Sequence, residues 1–403
     1  MSKPTESLWR GTQFRAYLGS TALSGMGLSM QPLLLNWMLI GVLLLPADQV
    51  GLIQALIGIP GVFLILIGGA KADRADPRNF LIVTYLVAPI FPIFLILMDH
   101  NNQFAVWSVV IWGLGISFVQ SYSAPAQQAI LNRVAGSQVQ QGVTAATILG
   151  FVVQVIALGL AGQMDRIGIA PVLMAQALSI GLAAWSMTGL NRVELPLSRS
   201  KGSALQGILE GLRETYRSKI VFHVLVINFV SSIFNAGSFM TVFPFVVKRV
   251  YDGDALMLSA LMAVFFFGAA ISNAILLRFM PLRRAGRLFL LMQLSRIVVL
   301  WMIYVEGGWW LFVLGTFGWG LNMGITSNLA RTIVQESAEP EFRGRILSIF
   351  TIGLVGSAPI GAIVLGELIE RMGTLNALWP AMILSGLLCA YGAWWTDLWR
   401  HES

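Results

Sequence analysis

The sequence predicts an all-α integral membrane protein of twelve transmembrane helices in two pseudo-symmetric six-helix bundles. Three observations carry that expectation. The apolar fraction is 56% and the charged fraction 11%, against roughly 45–50% and about 25% in an ordinary soluble domain. Charge-poor apolar runs recur along the whole chain, each long enough to cross a hydrocarbon core about 30 Å thick. The one long polar stretch between such runs, Asn191 to Lys219, divides them six and six.

In order, the spans read as 13–39, 48–70, 80–98, 104–124, 142–165, 169–189, 220–247, 256–277, 288–305, 308–330, 345–367 and 374–396. Met1 to Thr12 carries Lys3, Glu6 and Arg10 and lacks a short apolar core followed by a small-residue cleavage site, so the first run is expected to be a membrane helix and not a removable signal. The single cysteine, Cys389, falls in the last run, which excludes an internal disulfide or a cysteine metal site. The net charge of +7 reflects topology and not a nucleic-acid partner. With both termini inside, every Lys and Arg except Arg166, Lys248, Arg249, Arg296 and Arg371 falls on the inner side, the bias that sets orientation in a cytoplasmic membrane. The expected address is therefore the bacterial inner membrane, multi-pass, with both ends cytoplasmic.

The predicted organisation is an N-terminal bundle (1–190), a cytoplasmic linker (191–219) and a C-terminal bundle (220–403). Within the linker, Leu205, Ile208, Leu209, Leu212 and Tyr216 fall at helical spacing, with Glu210, Arg213, Glu214 and Arg217 mainly on the other side, so an amphipathic helix covering a bundle at the inner surface is expected. The two halves also echo each other. Gln128 to Gly150 aligns without a gap to Arg331 to Gly353, each stretch joining a fourth to a fifth helix. Asp165-Arg166-Ile167-Gly168 finds its counterpart in Glu370-Arg371-Met372-Gly373. Duplicated halves are how many transporters build a bundle that opens alternately to either side.

The loop between the second and third spans reads Gly69-Ala70-Lys71-Ala72-Asp73-Arg74-Ala75-Asp76-Pro77-Arg78. Gly69, Asp73, Arg74 and Arg78 match the signature loop of the major facilitator superfamily, which this chain resembles, whereas Asp76 and Pro77 depart from it. An aspartate at that spacing suits a helix N-terminus, and the cations suit carboxylates, so Gly69, Asp73, Arg74 and Arg78, together with Arg343 and Arg345 of Glu341-Phe342-Arg343-Gly344-Arg345, are expected to form a conformational latch. Further stretches resemble the macrolide and enterobactin exporters of the drug and siderophore efflux branch. They are Leu23-Ser24-Gly25-Met26-Gly27, Ile59-Pro60, Ser123-Ala124-Pro125-Ala126, Val242-Phe243-Pro244-Phe245 and Ser357-Ala358-Pro359-Ile360-Gly361. The fifth span has Ala157-Leu158 where exporters usually carry glycine-proline, the fourth has no arginine, and Leu28 stands where relatives often place an acid.

All 19 carboxylates fall in loops or at span ends, so the sequence names no proton-carrying acid at mid-membrane. Arg296 is the interior exception. Neutral amides are more numerous: Gln31, Asn36, Gln54, Gln120, Gln154, Asn228, Asn235, Asn322 and Asn328, with Arg296, are the candidate lining of a substrate cavity, each with interhelical hydrogen bonding as the alternative role. Phe234, Phe239, Phe243, Phe265, Phe266 and Phe267 offer an apolar wall, with core packing as the alternative. Trp107, Trp301, Trp309, Trp310, Trp394, Trp395 and Trp399 fall near span ends as interface belts.

The resemblance implies a monomeric secondary transporter without cofactor that exports a small amphipathic molecule, such as a drug, macrolide or siderophore, by alternating access. Coupling to a proton or ion gradient is left open. The partners are a small-molecule substrate and lipid, and no nucleic acid. Uptake by the same fold, and a non-transporting membrane sensor, are the alternatives. An enzyme would need a clustered nucleophile, base or metal site, which the sequence lacks.

Overall fold

The computed structural model describes residues 11–72, 76–191, 204–279 and 284–400, with backbone alone at 63–72, 137 and 204–208. Ten described helices are long and apolar enough to cross a membrane: span 1 (Thr12–Val42), span 3 (Pro77–His100), span 4 (Val106–Ala135), span 5 (Val139–Ile167), span 6 (Ile169–Thr188), span 7 (Lys219–Val250), span 8 (Ala255–Phe279), span 9 (Ala285–Tyr304), span 11 (Arg343–Met372) and span 12 (Asn376–Trp394). Span 2 (Ala47–Ala72) and span 10 (Trp309–Ser337) complete the twelve. Span 10 is not among the ten: glycines, tryptophans, Asn322 and Asn328 interrupt its aliphatic run. The chain is a multi-pass membrane protein.

Local sequence explains the irregularities. Span 3 begins at Asp76-Pro77: the Asp76 carboxylate accepts from the Arg78 backbone N–H at 3.1 Å, and proline occupies the first turn, where its missing N–H costs nothing. The two residues that depart from the signature loop thus start a helix. Spans 1 and 7 both finish π-wound, at Met38–Val42 and at Ser238–Val242 and Val246–Val250, a winding often placed at functional positions.

By contacts the chain resolves into two compact units. The first contains residues 1–43, 59–201 and 254–259, and the second contains 44–58, 202–253 and 260–403. The beginning of span 2 therefore belongs to the second unit's packing and the beginning of span 8 to the first unit's.

In the first unit, span 1 lies along span 6, tied by Ser20 donating to the Ala183 carbonyl (2.9 Å) and Ser186 to the Ala16 carbonyl (3.0 Å). In the second unit, span 7 lies along span 11, and span 9 along spans 10 and 12. A core including Val224, Phe289, Ile333 and Phe350 fills one end.

The linker helix is present (Ala204–Arg217) and packs on span 11. The side that does so carries Gly211 and Thr215, with Glu210 paired to Arg345 at 2.6 Å. Leu209, Leu212 and Tyr216, expected to face a bundle, are exposed. The reason is steric: a Cβ on Gly211 would stand 3.2 Å from the Arg345 carbonyl oxygen, so the smooth face makes the close approach. The apolar side chains are left for lipid.

Candidate functional sites in the membrane spans

The first unit gathers its polar groups into neutral networks. Gln31 of span 1 donates to the Gly113 carbonyl (3.0 Å) and the Ser117 hydroxyl (3.2 Å) of span 4. Asn36 is buried and donates to the Pro32 carbonyl one turn back (2.8 Å), satisfying an acceptor beside a helix proline. Gln127, which the sequence reading did not single out, donates to Ser24 (3.0 Å) and to the buried Tyr85 hydroxyl (2.5 Å), joining spans 1, 3 and 4. Gln176 bridges Trp112 Nε1 and the Gly27 carbonyl, each at 3.0 Å. Gln120 is exposed and Gln154 half-buried.

The second unit holds a charge. Arg296 is 2% exposed, and its guanidinium donates to Ser231 of span 7, to Gln293 one turn back (3.0 Å) and to Asn322 of span 10 (3.4 Å). Asn322 in turn donates to the Met292 carbonyl (2.6 Å) and to Ser295 (2.8 Å), while Ser231 donates to Gln293 (3.0 Å). Two of the cavity candidates, Arg296 and Asn322, are thus bonded to each other, with Ser231 and Gln293 completing the cluster. No acid pairs with Arg296 among the described residues; neutral dipoles solvate it, and burial without them would cost several kcal/mol.

Gln54 at the start of span 2 donates to the Met240 carbonyl (3.0 Å) and accepts from Thr241 (2.7 Å), both in the π-wound stretch of span 7. Asn328 donates to Asn273 and to the Gly324 carbonyl. Asn228 is buried. Asn235 accepts from Trp319 Nε1 at 2.6 Å.

That tryptophan, absent from the predicted wall, sits edge-on to Phe239, Phe243 and Phe265 with ring centres 5.7–6.0 Å apart. Phe239 stacks on Phe265 at 4.1 Å. Phe267 lies outside this cluster, mostly exposed and against Phe317. Trp319, Phe243 and Phe265 are fully buried, so the group is a packed aromatic core that leaves only Phe239 and the Asn235 amide half-buried at its edge.

Of the predicted latch, Asp73 and Arg74 lie outside the described residues, and Gly69 is given only as part of the span 2 helix. Arg78 is buried, bonded to Asn79 (2.9 Å) and to the Thr188 carbonyl at the end of span 6 (2.8 Å). Arg343 opens span 11 and is exposed, while Arg345 pairs with Glu210 of the linker helix.

The opposite ends of the spans carry two further polar contacts. Asp165, ending span 5, accepts from Trp37 Nε1 (2.7 Å) and from the Ala255 backbone N–H (2.8 Å). Glu370, ending span 11, accepts from the Ala47 backbone N–H (2.8 Å) and from Arg249 (3.0 Å).

The sequence model of the Major Facilitator Superfamily matches residues 17–361. No curated protein matches the chain. Among solved structures, the nucleoside transporter NupG superposes with a TM-score of 0.76 at 14% identity, covering 97% of this chain and 100% of that one. A bacterial homolog of the human lysosomal transporter Spinster, inward-facing and unoccupied, gives 0.72 at 13% identity over 97% and 98%. A POT family transporter in complex with 5-aminolevulinic acid gives 0.74 at 10% identity over 94% and 96%. At these identities the likeness shows the fold.

Proposed function

Because the chain belongs to the major facilitator superfamily, and so to a class of membrane transporters that bind small molecules, we propose that it is a secondary transporter exporting a small amphipathic solute by alternating access. The observation that carries this reading is the second unit's half-buried Phe239 and Asn235, an aromatic face and an amide set side by side on the buried rings of Trp319, Phe243 and Phe265. Aromatic faces take up apolar area and a single amide fixes orientation, the chemistry of a drug- or macrolide-like ligand. The motifs resembling the efflux branch support the direction. The charge distribution supports both termini on the cytoplasmic side of a bacterial inner membrane, and a monomer is proposed as the transporting unit from the family resemblance alone. The division into 1–190, 191–219 and 220–403 is proposed as the repeat organisation, and Asp73 as the centre of a cytoplasmic latch.

The test is flux in proteoliposomes of the purified protein, loaded in turn with a macrolide, a catecholate siderophore and a nucleoside, with and without an imposed pH gradient. Gradient-dependent movement of the amphipathic solutes toward the side opposite the termini supports the reading, and movement of none of them counts against it. Asp73→Asn is expected to cut flux about tenfold at unchanged protein level if the aspartate caps a neighbouring helix, the upper range of such a contact. Uptake by the same fold is the second reading; the nucleoside transporter among the structural neighbours suggests the nucleoside as a test solute, and movement toward the side of the termini would favour uptake.

A further inference from the structure

Around the buried guanidinium of span 9, hydrogen-bond donors outnumber acceptors. Arg296 Nη1 donates to Ser231 and to Gln293 Oε1 (3.0 Å), and Nη2 donates to Asn322 Oδ1 (3.4 Å). Gln293 Oε1 also takes the Ser231 hydroxyl (3.0 Å), so the acceptors of the cluster are engaged. Two donors are left over: Arg296 Nε and Gln293 Nε2 are buried and have no hydrogen-bond partner among the described residues. They belong to side chains one turn apart that are already bonded to each other, so the two leftover donors are neighbours.

Such donors are rare in a folded interior, and each calls for an acceptor. The charge narrows the choice. Ser231, Gln293 and Asn322 are neutral and solvate the cation without cancelling it. A water would accept an N–H and leave the charge as it was, whereas an anion answers both needs.

Packing sets the size. Arg296 is 2% exposed and Gln293 0%, with Ser231 of span 7 and Asn322 of span 10 buried beside them. Spans 9 and 10 lie close: a Cβ on Gly315 would stand 3.2 Å from Ile303 Cγ1, and one on Gly318 3.2 Å from Val299 Cγ2. A large organic anion has no way in while these spans stay packed, but a monatomic one does not need them to part far.

We propose that Arg296 Nε and Gln293 Nε2 hold a small inorganic anion of the chloride type where spans 7, 9 and 10 meet. The ion is a resident counter-charge and not cargo. It completes the polar cluster that ties the three spans, and its binding stabilises the second unit by mass action.

Thermal denaturation of the purified full chain in detergent tests this, with sodium chloride replacing sodium gluconate at constant ionic strength. Chloride is expected to raise Tm by about 2–4 °C and then saturate. Bromide should substitute, and the larger, strongly hydrated sulfate should not. An equal rise in sulfate or gluconate is a general salt effect and overturns the site. Gln293→Leu is expected to lose the chloride response, while Gln127→Leu, in the other unit's network, keeps it in full. Should Gln293→Leu fail to give monodisperse protein, Gln293→Glu decides. Its carboxylate supplies the charge in place of the ion, so the response is expected to vanish at a Tm no lower than that of the unsubstituted chain in gluconate. A full response in either folded variant overturns the proposal. Abolition of the response by a catecholate siderophore at saturating chloride would place the cluster in the substrate path and overturn it as well. No flux enters the measurement, so failure of the transport reading leaves the anion site standing, and the reverse holds too.

Discussion

The two units meet the same packing problem with different partners. In the first, glycines accept side chains: a Cβ on Gly115 would lie 2.1 Å from the Phe91 ring, and one on Gly27 2.4 Å from Ile180. In the second, Gly324 and Gly392 likewise meet the side chains of Ser272 and Leu290, but three further glycines meet backbone: the corresponding distances are 1.9 Å from Gly320 to the Phe265 carbonyl oxygen, 2.0 Å from Gly361 to that of Ile233 and 2.1 Å from Gly51 to that of Ala362. A ring or a methyl can swing aside, whereas a carbonyl moves only with its helix. The polar groups within the spans differ in parallel: the first unit has amide networks mid-span, with its buried Arg78 at the start of span 3, whereas the second has Arg296 within span 9. The lesson is that repeated span ends coexist with interiors that have diverged: close backbone contacts and a mid-span guanidinium in the second unit, ring and methyl contacts and amide networks in the first.

The comparison is broken most directly by glycine substitution. Gly320→Ala is expected to abolish folded yield or cost about 3 kcal/mol, and Gly115→Ala no more than about 1 kcal/mol. Thermal denaturation in detergent checks this, and equal losses would erase the distinction. Next in size, Arg296→Gln should lower stability by about 1–2 kcal/mol, because Ser231, Gln293 and Asn322 lose the donor around which they are arranged. Its flux is expected to fall equally for anionic and neutral solutes, since the guanidinium is occupied within the protein, and selective loss of anions would instead place Arg296 in the substrate path.

Asn235→Leu releases Trp319 Nε1 and is expected to cost about 1 kcal/mol while changing the preference among amphipathic solutes. A competition series read as relative half-maximal concentrations measures it. Smallest, Gln127→Leu should cost about 0.6 kcal/mol, the average for hydrogen bonds between membrane helices, and leave solute preference unaltered.

The spans and the matched Asp165 and Glu370 segments were legible in the sequence because lipid imposes a length and a composition on every helix that crosses it, and because a glycine turn after an acid keeps its spelling. Contact partners were less legible. Gln127 and Gln293 looked like Gln120, yet two are built into networks and one is exposed, since the outcome depends on which helix faces its side chain. Trp319 was missed beside belt tryptophans because a mid-span indole differs from them only in having Asn235 within reach. The linker helix was read with its apolar side inward, and close packing at Gly211 and Thr215 outweighed that amphipathic pattern. The exchange of first turns, with span 2 beginning in one unit and span 8 in the other, left no mark on hydropathy at all.

The measurement that bears most directly on alternating access is a pair of spin-label distances in nanodiscs. One pair is placed in the 3–4 and 9–10 connections, Asn102→Cys with Glu306→Cys. The other is placed near the far ends of spans 4 and 10, Asn132→Cys with Arg331→Cys, each in the Cys389→Ala background. The account predicts that conditions which lengthen the first distance shorten the second, with two populations trading places. A single fixed distance at both ends, unmoved by pH or solute, would contradict it.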